Sequence, residues 1–196
     1  MSQLIISVGR EFGSGGHEIA QKLAEAYHLP LYDHNLLDEI AKDKNLNKDE
    51  LAEHDEKKKN PLLYRTVRGL SSSPAQNIAF LQFDYLKKKA AAGESFVIVG
   101  RCSETVLKEY DGLVSIFIRG DLDQKTVRVC EKYNLTAEKA QKLIATKDSK
   151  RKKYHDDHCE GKWGDSNNYD LCINSSKLSM DNVIRLLTTY IDLRNV

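Results

Sequence analysis

The amino-acid sequence predicts an α/β fold, in which a parallel sheet is covered by helices on both faces. The chain opens with a short apolar run at residues 4–8, a glycine-rich loop and a segment of helical periodicity. Two further runs, Phe96–Val99 and residues 113–118, are apolar throughout, as in strands that are buried on both faces of a parallel sheet. Short apolar strands alternate with amphipathic helices along the chain, which is typical of this fold class.

The elements can be assigned in chain order from apolar periodicity and helix start signals. Asn47 and Asp121 each stand three residues before Glu or Gln, which indicates a capping box, and Thr136 and Ser179 are further N-cap candidates. A charged run at residues 53–60 predicts a solvated helix end or loop, and a serine-rich stretch at residues 65–74 predicts a flexible loop. The predicted strands are residues 4–8, 29–33, 96–99, 113–118 and 169–174. One helix is predicted directly after the glycine-rich loop. Further helices are predicted at residues 35–44, 47–51, 75–92, 103–110 and 121–133, from residue 136 into 147–153, and from residue 179 onward.

The composition predicts one globular domain, residues 1–196, and excludes several function classes. The chain is 40% hydrophobic and 30% charged, with a formal net charge of +1, so nothing general favours nucleic acid or an anionic membrane as a partner. The four cysteines show no Cys-x-x-Cys pair, which indicates reduced thiols. The N-terminus lacks a leader pattern and no apolar run is long enough to span a membrane, so a cytoplasmic location is expected.

The glycine loop after the first strand predicts a phosphate-binding site. Backbone amides in such a loop, together with the positive end of the following helix, attract an anion. The strict pattern Gly-x4-Gly-Lys-Ser/Thr is absent. If Gly15 is its second glycine, Arg10 stands at the first glycine, Gly16 at the lysine and His17 at the hydroxyl. The loop therefore has a suitable backbone and unusual side chains.

Positively charged residues also lie after a second predicted strand and at the end of a predicted helix. Arg101 comes after the strand Phe96–Val99, where a guanidinium is suited to bidentate phosphate recognition, although a structural salt bridge is the alternative. The basic residues 147–153 are interpreted as a candidate lid, because phosphoryl transfer needs positive charge around the migrating group. A solvated helix C-terminus is the ordinary alternative for this run.

Residues 154–159 contain metal-ligand types without a recognised spacing. His155, His158 and Cys159 do not match a zinc motif, and no second cluster stands out in the sequence, so no metal site is predicted there. The turn Trp163-Gly164-Asp165 is interpreted as a packed turn, with stacking of the tryptophan on a nucleotide base as the alternative.

Five motifs carry a resemblance to a known family: GREFGSGG at residues 9–16, YD at 32–33, VGRC at 99–102, WGD at 163–165 and YDL at 169–171. In combination they resemble the cytidylate kinase-like family, a branch of the P-loop nucleoside monophosphate kinases. The resemblance implies a five-stranded parallel sheet, an acceptor-binding helical segment at about residues 34–92 and a small helical lid at about residues 136–168. It also implies transfer of the γ-phosphoryl group of ATP, with Mg²⁺, to a phosphate acceptor, which is CMP in the authentic enzymes.

The resemblance implies a role for each matching residue. Arg128 would lie against the adenine and Arg101 would contact the acceptor. Asp148 and Arg151, three residues apart in the lid, would approach the acceptor and the transferring group. The residues that would cradle the donor phosphates are Gly13, Ser14, Gly15, Gly16 and His17.

Further roles follow from these positions. Arg10, Arg101 and Arg151 would neutralise charge during transfer, and Asp148 would orient the acceptor or an arginine. Asp33 and its neighbour His34 would contact the acceptor, with Asp33 accepting a proton or holding Mg²⁺ through water.

The sequence also departs from authentic cytidylate kinases at several matching positions. The acceptor-side serine and arginine are replaced by His34 and Glu39, and a cytidine-contacting aspartate is replaced by Val99. A glutamate repels an incoming phosphate monoester at short range, so CMP is not the expected acceptor. Arg10 or Lys150 is the candidate replacement for the missing loop lysine.

The leading hypothesis is therefore an ATP-dependent phosphotransferase whose acceptor is a nucleotide or another small metabolite. A nucleotide-binding regulatory or interaction module without catalysis is the alternative from another class. A Rossmann-type dehydrogenase is disfavoured, because Gly-x-Gly-x-x-Gly is absent and the chain has no room for a substrate domain. A homo-oligomer stays open, since the apolar residues 78–86 would cover either the core, which is favoured, or a dimer interface.

Overall fold

The computed structural model describes residues 3–33, 35–44 and 74–194. Three predicted features lie outside these ranges: the helix at residues 47–51, the charged run at 53–60, and the serine-rich loop except for Pro74. Most of the predicted acceptor-binding segment also lies outside the described residues.

The centre of the fold is one parallel sheet, which confirms the predicted fold class. Its strands are ordered β2-β3-β1-β4-β5. This order differs from the 3-2-1 order of the classic dinucleotide-binding sheet, which argues against the dehydrogenase alternative. In β1, Ile6 is paired with Val97 on one side and Val114 on the other. The strands are β1 Ile5–Arg10, β2 Leu31–Tyr32, β3 Phe96–Val99, β4 Leu113–Arg119 and β5 Leu171–Asn174.

Helices cover both faces of the sheet, as the alternation of strands and helices predicts. They are numbered here in chain order among the described residues, and a short 3₁₀ helix, Ser166–Asn168, precedes β5. The helices are α1 Gly16–Ala26, α2 Leu36–Lys44, α3 Pro74–Ala91, α4 Ser103–Val106, α5 Leu122–Tyr133, α6 Ala137–His158 and α7 Met180–Arg194.

The core consists of two layers, because successive residues of a strand point to opposite faces of the sheet. Ile6 of β1 packs with Leu23 of α1 and Leu187 of α7 on one face. Ile5, its neighbour, packs on the other face with Leu86 of α3. All five side chains are fully buried. The helix α1 is therefore anchored to the sheet along its length, which holds its N-terminus at the carboxyl end of β1.

Three sequence expectations need correction. The basic residues 147–153 lie inside α6, which continues to His158 and does not end within the run. Asp121 precedes α5 but makes no capping bond with its side chain among the described residues; it accepts from Asn174 Nδ2 at 2.7 Å and pairs with Lys177 Nζ at 2.6 Å. The helix predicted at 103–110 ends at Val106. Thr136 does cap α6, accepting from the amide of Lys139.

No helix in the described ranges combines the length and the apolarity that a membrane span requires.

Replacement of Leu23 by alanine should lower the free energy of unfolding by about 3 kcal/mol, because the lost methyl groups leave a cavity between α1 and the sheet. Leu193→Ala is the matched control, since Leu193 is 74% exposed and should change stability by less than about 0.5 kcal/mol. Chemical denaturation of both variants measures the difference. Equal effects of the two substitutions would contradict the assigned position of α1.

Candidate functional site

The loop between β1 and α1 has the backbone of an anion-binding site. Gly13 and Gly15 both adopt φ of +80°, a left-handed conformation that favours glycine. A Cβ at Gly13 would also lie 2.9 Å from the Val129 side chain. Gly15 is the N-cap of α1 and has no side chain with which to satisfy the first-turn amides. These amides and the helix dipole are therefore suited to a bound anion.

Two serines stabilise the conformation of the loop through hydrogen bonds. Ser14 is fully buried, and its hydroxyl donates to the Glu11 carbonyl at 2.9 Å. Ser175, which follows β5, donates to the Ser14 carbonyl at 2.6 Å. The Ser14 side chain therefore stabilises the loop conformation and leaves any contact with a ligand to backbone groups.

The side chain of Arg10 lies beside the position at which the strict pattern has its lysine. A Cβ on Gly16 would lie 2.5 Å from the Arg10 Cβ, and a Cβ on Gly100 would overlap the Arg10 guanidinium. The glycine at position 16 thus removes the lysine and at the same time makes room for Arg10. Lys150, the other candidate replacement, is exposed on α6.

Arg10 carries its charge in a buried, positively charged environment. Burial, and then repulsion by Arg151 and Arg101, lowers the pKa of Arg10 to about 9, so the guanidinium stays protonated at neutral pH. Its Nε is buried and has no hydrogen-bond partner within the part of the chain that the structure describes. A buried charged donor of this kind is suited to an anion that arrives from solution.

Arg101 and Arg151 approach the same loop from two other elements. Arg101 follows β3 with φ of +62°, and its guanidinium lies 5.8 Å from the centre of the Tyr154 ring. Arg151, on α6, donates to the Arg10 carbonyl at 3.2 Å and stacks over the Phe12 ring at 5.5 Å. Burial lowers the pKa of Arg151. The three arginines of the sequence prediction are therefore gathered at one end of the sheet.

A buried lysine joins the loop to α6, and sequence reasoning missed it. Lys125 Nζ lies 3.0 Å from Glu11 Oε2 and 3.2 Å from Asp148 Oδ2. The other oxygen of Asp148 accepts from the Phe12 amide at 2.6 Å. The available signal was helical spacing, since Lys125 and buried Val129 are four residues apart on the inner face of α5, where a lysine needs charged partners.

Arg128 contacts the loop backbone. Its Nη1 donates to the Gly13 carbonyl at 2.6 Å, and its guanidinium lies next to Gly15. Asp148, predicted to orient the acceptor or an arginine, lies 4.0 Å from Arg151 and closer to Lys125.

The acceptor side of the predicted site is only partly described. Asp33 is buried after β2, and its Oδ2 lies 3.6 Å from His17 Nδ1. Asp33 is also close enough to Arg10 to favour the charged guanidinium. His34 lies outside the described residues. Val99 is buried at the end of β3, so no carboxylate stands at that position.

Of the metal-ligand types at residues 154–159, His158 points away from His155 and Cys159. Its Nδ1 lies 2.7 Å from the Tyr154 carbonyl oxygen, whereas His155 Nε2 lies 2.9 Å from Glu104 Oε1. Burial opposes the charged form of His155, but hydrogen bonds to Cys159 and Glu104 outweigh it and raise its pKa to about 10. Glu104 belongs to α4 and was not predicted.

The turn at residues 163–165 is packed, as predicted. Trp163 meets the Phe117 ring edge-on, with ring centres 5.4 Å apart, and Gly164 adopts φ of +74° against the same ring.

The described site can hold a polyanion. Amides of the α1 N-terminus and three guanidinium groups converge on the loop, while Lys125 neutralises the nearby carboxylates of Glu11 and Asp148. This combination of a glycine loop with surrounding cations stabilises phosphate charge by electrostatics and positioning.

Replacement of Lys125 by methionine should lower the free energy of unfolding by about 2–3 kcal/mol, because two carboxylates lose their cation. The loss is smaller than for a fully buried pair, since Glu11 and Asp148 are 26% and 17% exposed. Lys142→Met is the control: Lys142 is 75% exposed and pairs with Glu138 in solvent, so its loss should cost about 0.5 kcal/mol or less. Urea unfolding at neutral pH measures both, and equal costs would contradict the role of Lys125.

Comparison with known proteins identifies the family. The sequence pattern of the cytidylate kinase-like family matches residues 5–177. A cytidylate kinase from Pyrococcus horikoshii is 26% identical to this chain over 191 residues, which cover 97% of this chain and 89% of that kinase.

Solved structures show the same architecture. An uncharacterized protein from Eubacterium ventriosum is 42% identical, with a TM-score of 0.78 over 97% of this chain and 99% of that one. The shikimate kinase from Bacteroides thetaiotaomicron is 11% identical and has a TM-score of 0.57, with 96% of this chain and 98% of that one covered, so it shares the fold. Since the family pattern spans nearly all of the sequence, from β1 to the residues after β5, the chain belongs to the cytidylate kinase-like family.

Proposed function

We propose that this protein is an ATP-dependent phosphotransferase that moves the γ-phosphoryl group to a nucleotide or another small phosphate acceptor. Membership of a kinase family supports the reaction class. The single observation that carries the proposal is the position of Arg10 between Gly16 and Gly100, beside the α1 N-terminus. There the guanidinium supplies the charge that the loop lysine supplies in the strict pattern.

In this proposal the donor phosphates bind to the amides of the loop and of the first turn of α1. Gly13 and Gly15 let the backbone approach the anion closely, and His17 occupies the hydroxyl position of the strict pattern. Arg128 sits on the loop at Gly13, on the side where family members hold the adenine.

Transfer itself would depend on the three arginines. Arg10 and Arg101 come from the ends of β1 and β3, and Arg151 comes from α6. Charge that develops on the migrating phosphoryl group is stabilised when guanidinium groups are already in place around it. Asp148, held by Lys125 and the Phe12 amide, keeps α6 close to the loop.

Among the described residues around the loop, we assign the Asp33 carboxylate to Mg²⁺, which kinases of this kind use with ATP. Mg²⁺ prefers oxygen ligands and retains several waters. Glu11 and Asp148 are engaged by Lys125, whereas Asp33 lies beside His17 at the phosphate side of α1. Asp33 therefore fits a metal held partly through water, with no hydroxyl ligand at position 17. The ion would supply neutralisation of the phosphate oxygens.

The acceptor in this proposal is a phosphate-bearing small molecule other than CMP. Glu39 stands on α2 where cytidylate kinases have an arginine, and buried Val99 replaces their aspartate. Both changes remove groups that would hold a cytidine monophosphate.

A nucleotide-binding module without turnover is the second candidate. It is favoured by the contacts of α6 with the loop, since Asp148 accepts from the Phe12 amide and Arg151 donates to the Arg10 carbonyl. A regulatory protein would use the same contacts to report whether the loop is occupied.

Arg101→Ala and Arg151→Ala should each lower kcat by at least about 100-fold, because each removes a cation from the transition state. The measurement is ADP formation from Mg-ATP with a panel of nucleoside monophosphates and small phosphorylated metabolites. Arg185→Ala, at an exposed position of α7, is the control and should retain full activity. Tight ATP binding without turnover on the whole panel would reject the kinase and favour the regulatory module.

Gly100→Ala should weaken ATP binding by about 10- to 100-fold, since the new methyl group displaces the Arg10 guanidinium from its position. Gly93→Ala is a matched control: Gly93 has φ of +76°, like the +74° of Gly100, but nothing lies within 4 Å of its Cβ position. Both variants therefore bear the same backbone strain of about 1–2 kcal/mol, and only one moves Arg10. Calorimetric titration with ATP compares them. Equal affinities would exclude Arg10 as the loop cation.

A further inference from the structure

A second cluster of reactive side chains lies where the end of α6 meets the turn after β3. Glu104 and His155 are buried, and Cys159 is half-buried immediately after α6. One ligand atom from each of these three residues lies within 4.8 Å of the other two. The cluster is separate from the phosphate loop in sequence and uses none of the three arginines.

Cys102 lies outside this group of three, next to Cys159. It is 4% exposed. Gly100, Arg101 and Cys102 have φ of +74°, +62° and +56°, so three successive left-handed residues turn the chain sharply after β3. This conformation is strained for the two non-glycine residues, and it brings Cys102 and Glu104 against α6.

His155 lies in the last turn of α6, and Cys159 is the C-cap residue that follows the helix. The two are four residues apart, and the Cys159 amide bonds to the His155 carbonyl at 2.8 Å. This bond continues the helical pattern to Cys159, and four residues is the spacing at which helices present two ligands to one metal ion.

The imidazole of His155 has the surroundings of a metal ligand. Its side chain is 4% exposed, and Nδ1 is buried without a hydrogen-bond partner in the described ranges. Nδ1 lies 4.0 Å from a carboxylate oxygen of Asp156, while Nε2 lies beside Glu104. Metal-bound histidines usually have a carboxylate near the second ring nitrogen, which orients the ring.

We propose that Glu104, His155 and Cys159 form a binding site for Zn²⁺ and that Cys102, beside Cys159, supplies the fourth ligand. Two sulfurs, one imidazole nitrogen and one carboxylate oxygen are the ligand types that zinc accepts in tetrahedral sites. Mg²⁺ and Ca²⁺ prefer oxygen ligands throughout, so the two thiols select against them. Zinc takes cysteine as thiolate and histidine as neutral imidazole, so binding releases to solvent the protons that the thiols and the His155 imidazolium hold.

The cluster has a route to solvent. Cys159 lines a pocket of about 320 Å³, together with Phe80, Phe83 and His158. An ion can therefore reach the sulfur of Cys159 without separation of α6 from the sheet.

A zinc ion at this site would tie the C-terminal end of α6 to the turn that carries Arg101. The same helix carries Asp148 and Arg151 two turns or less before His155. With Cys102 as the fourth ligand, no open position is left for a substrate, so the site is structural. The assignment rests on the described cluster and holds whether or not the protein transfers phosphate.

The test is a Zn²⁺ titration of the reduced, metal-stripped full chain against a competing chromogenic chelator. The expected result is one ion per chain and a rise in melting temperature that EDTA reverses. Substitution with Co²⁺ should produce a thiolate-to-metal charge-transfer band. Cys159→Ser and Glu104→Gln should each weaken Zn²⁺ binding by more than about 100-fold, since even residues behind the ligands contribute 10- to 100-fold.

Cys172→Ser is the matched control, because Cys172 is an exposed thiol on β5 and its loss should leave Zn²⁺ affinity unchanged. Circular dichroism of the metal-free variants reports folding, and Glu104→Gln serves if Cys159→Ser does not fold. Wild-type affinity no higher than that of Cys159→Ser would overturn the assignment, as would equal weakening by Cys172→Ser. A Cys102–Cys159 disulfide in the purified chain, with no Zn²⁺ binding after reduction, would instead identify a redox pair.

Discussion

The candidate site depends on one steric constraint, the passage of the Arg10 side chain past two glycines. Gly16 and Gly100 belong to α1 and to the turn after β3, and neither position can carry a Cβ while Arg10 keeps its place. The cation beside the loop therefore comes from the end of a central strand. Because Arg10 is repelled by Arg101 and Arg151, an anion bound among them would relieve a repulsion already present in the folded chain.

Helix α6 links the remaining parts of the structure. Near its middle, Asp148 and Arg151 contact the loop, and at its end His155 contacts Glu104 beside the turn that holds Arg101. Lys125 sits between Glu11 and Asp148 and joins α5 to the same network. Most of these contacts are charged and low in exposure, so removal of one partner leaves another charge uncompensated.

The predicted strands and helices are confirmed where the local sequence pattern and the tertiary contacts favour the same structure. The uniformly apolar runs of β3 and β4 lie on either side of β1 in the sheet. Burial on both faces of a sheet is what such an apolar pattern predicts. Predictions were wrong where a side chain that the local pattern assigns to a helix end binds a residue far away in the chain. Asp121 binds Asn174 and Lys177 in place of its own helix. The basic run at 147–153 continues as helix to His158, with Asp148 and Arg151 in contact with the loop.

The sequence by itself determined the α/β class, the glycine loop as an anion site, and the resemblance to a kinase family. These features are carried by local periodicity and by short motifs, which a single chain displays without its fold. Only the tertiary structure decided that the Arg10 side chain lies beside the position of the loop lysine, that Lys125 is buried between two carboxylates, and that Glu104 meets His155. Each of these depends on residues far apart in the chain, and their proximity is set by the strand order, which no local pattern encodes.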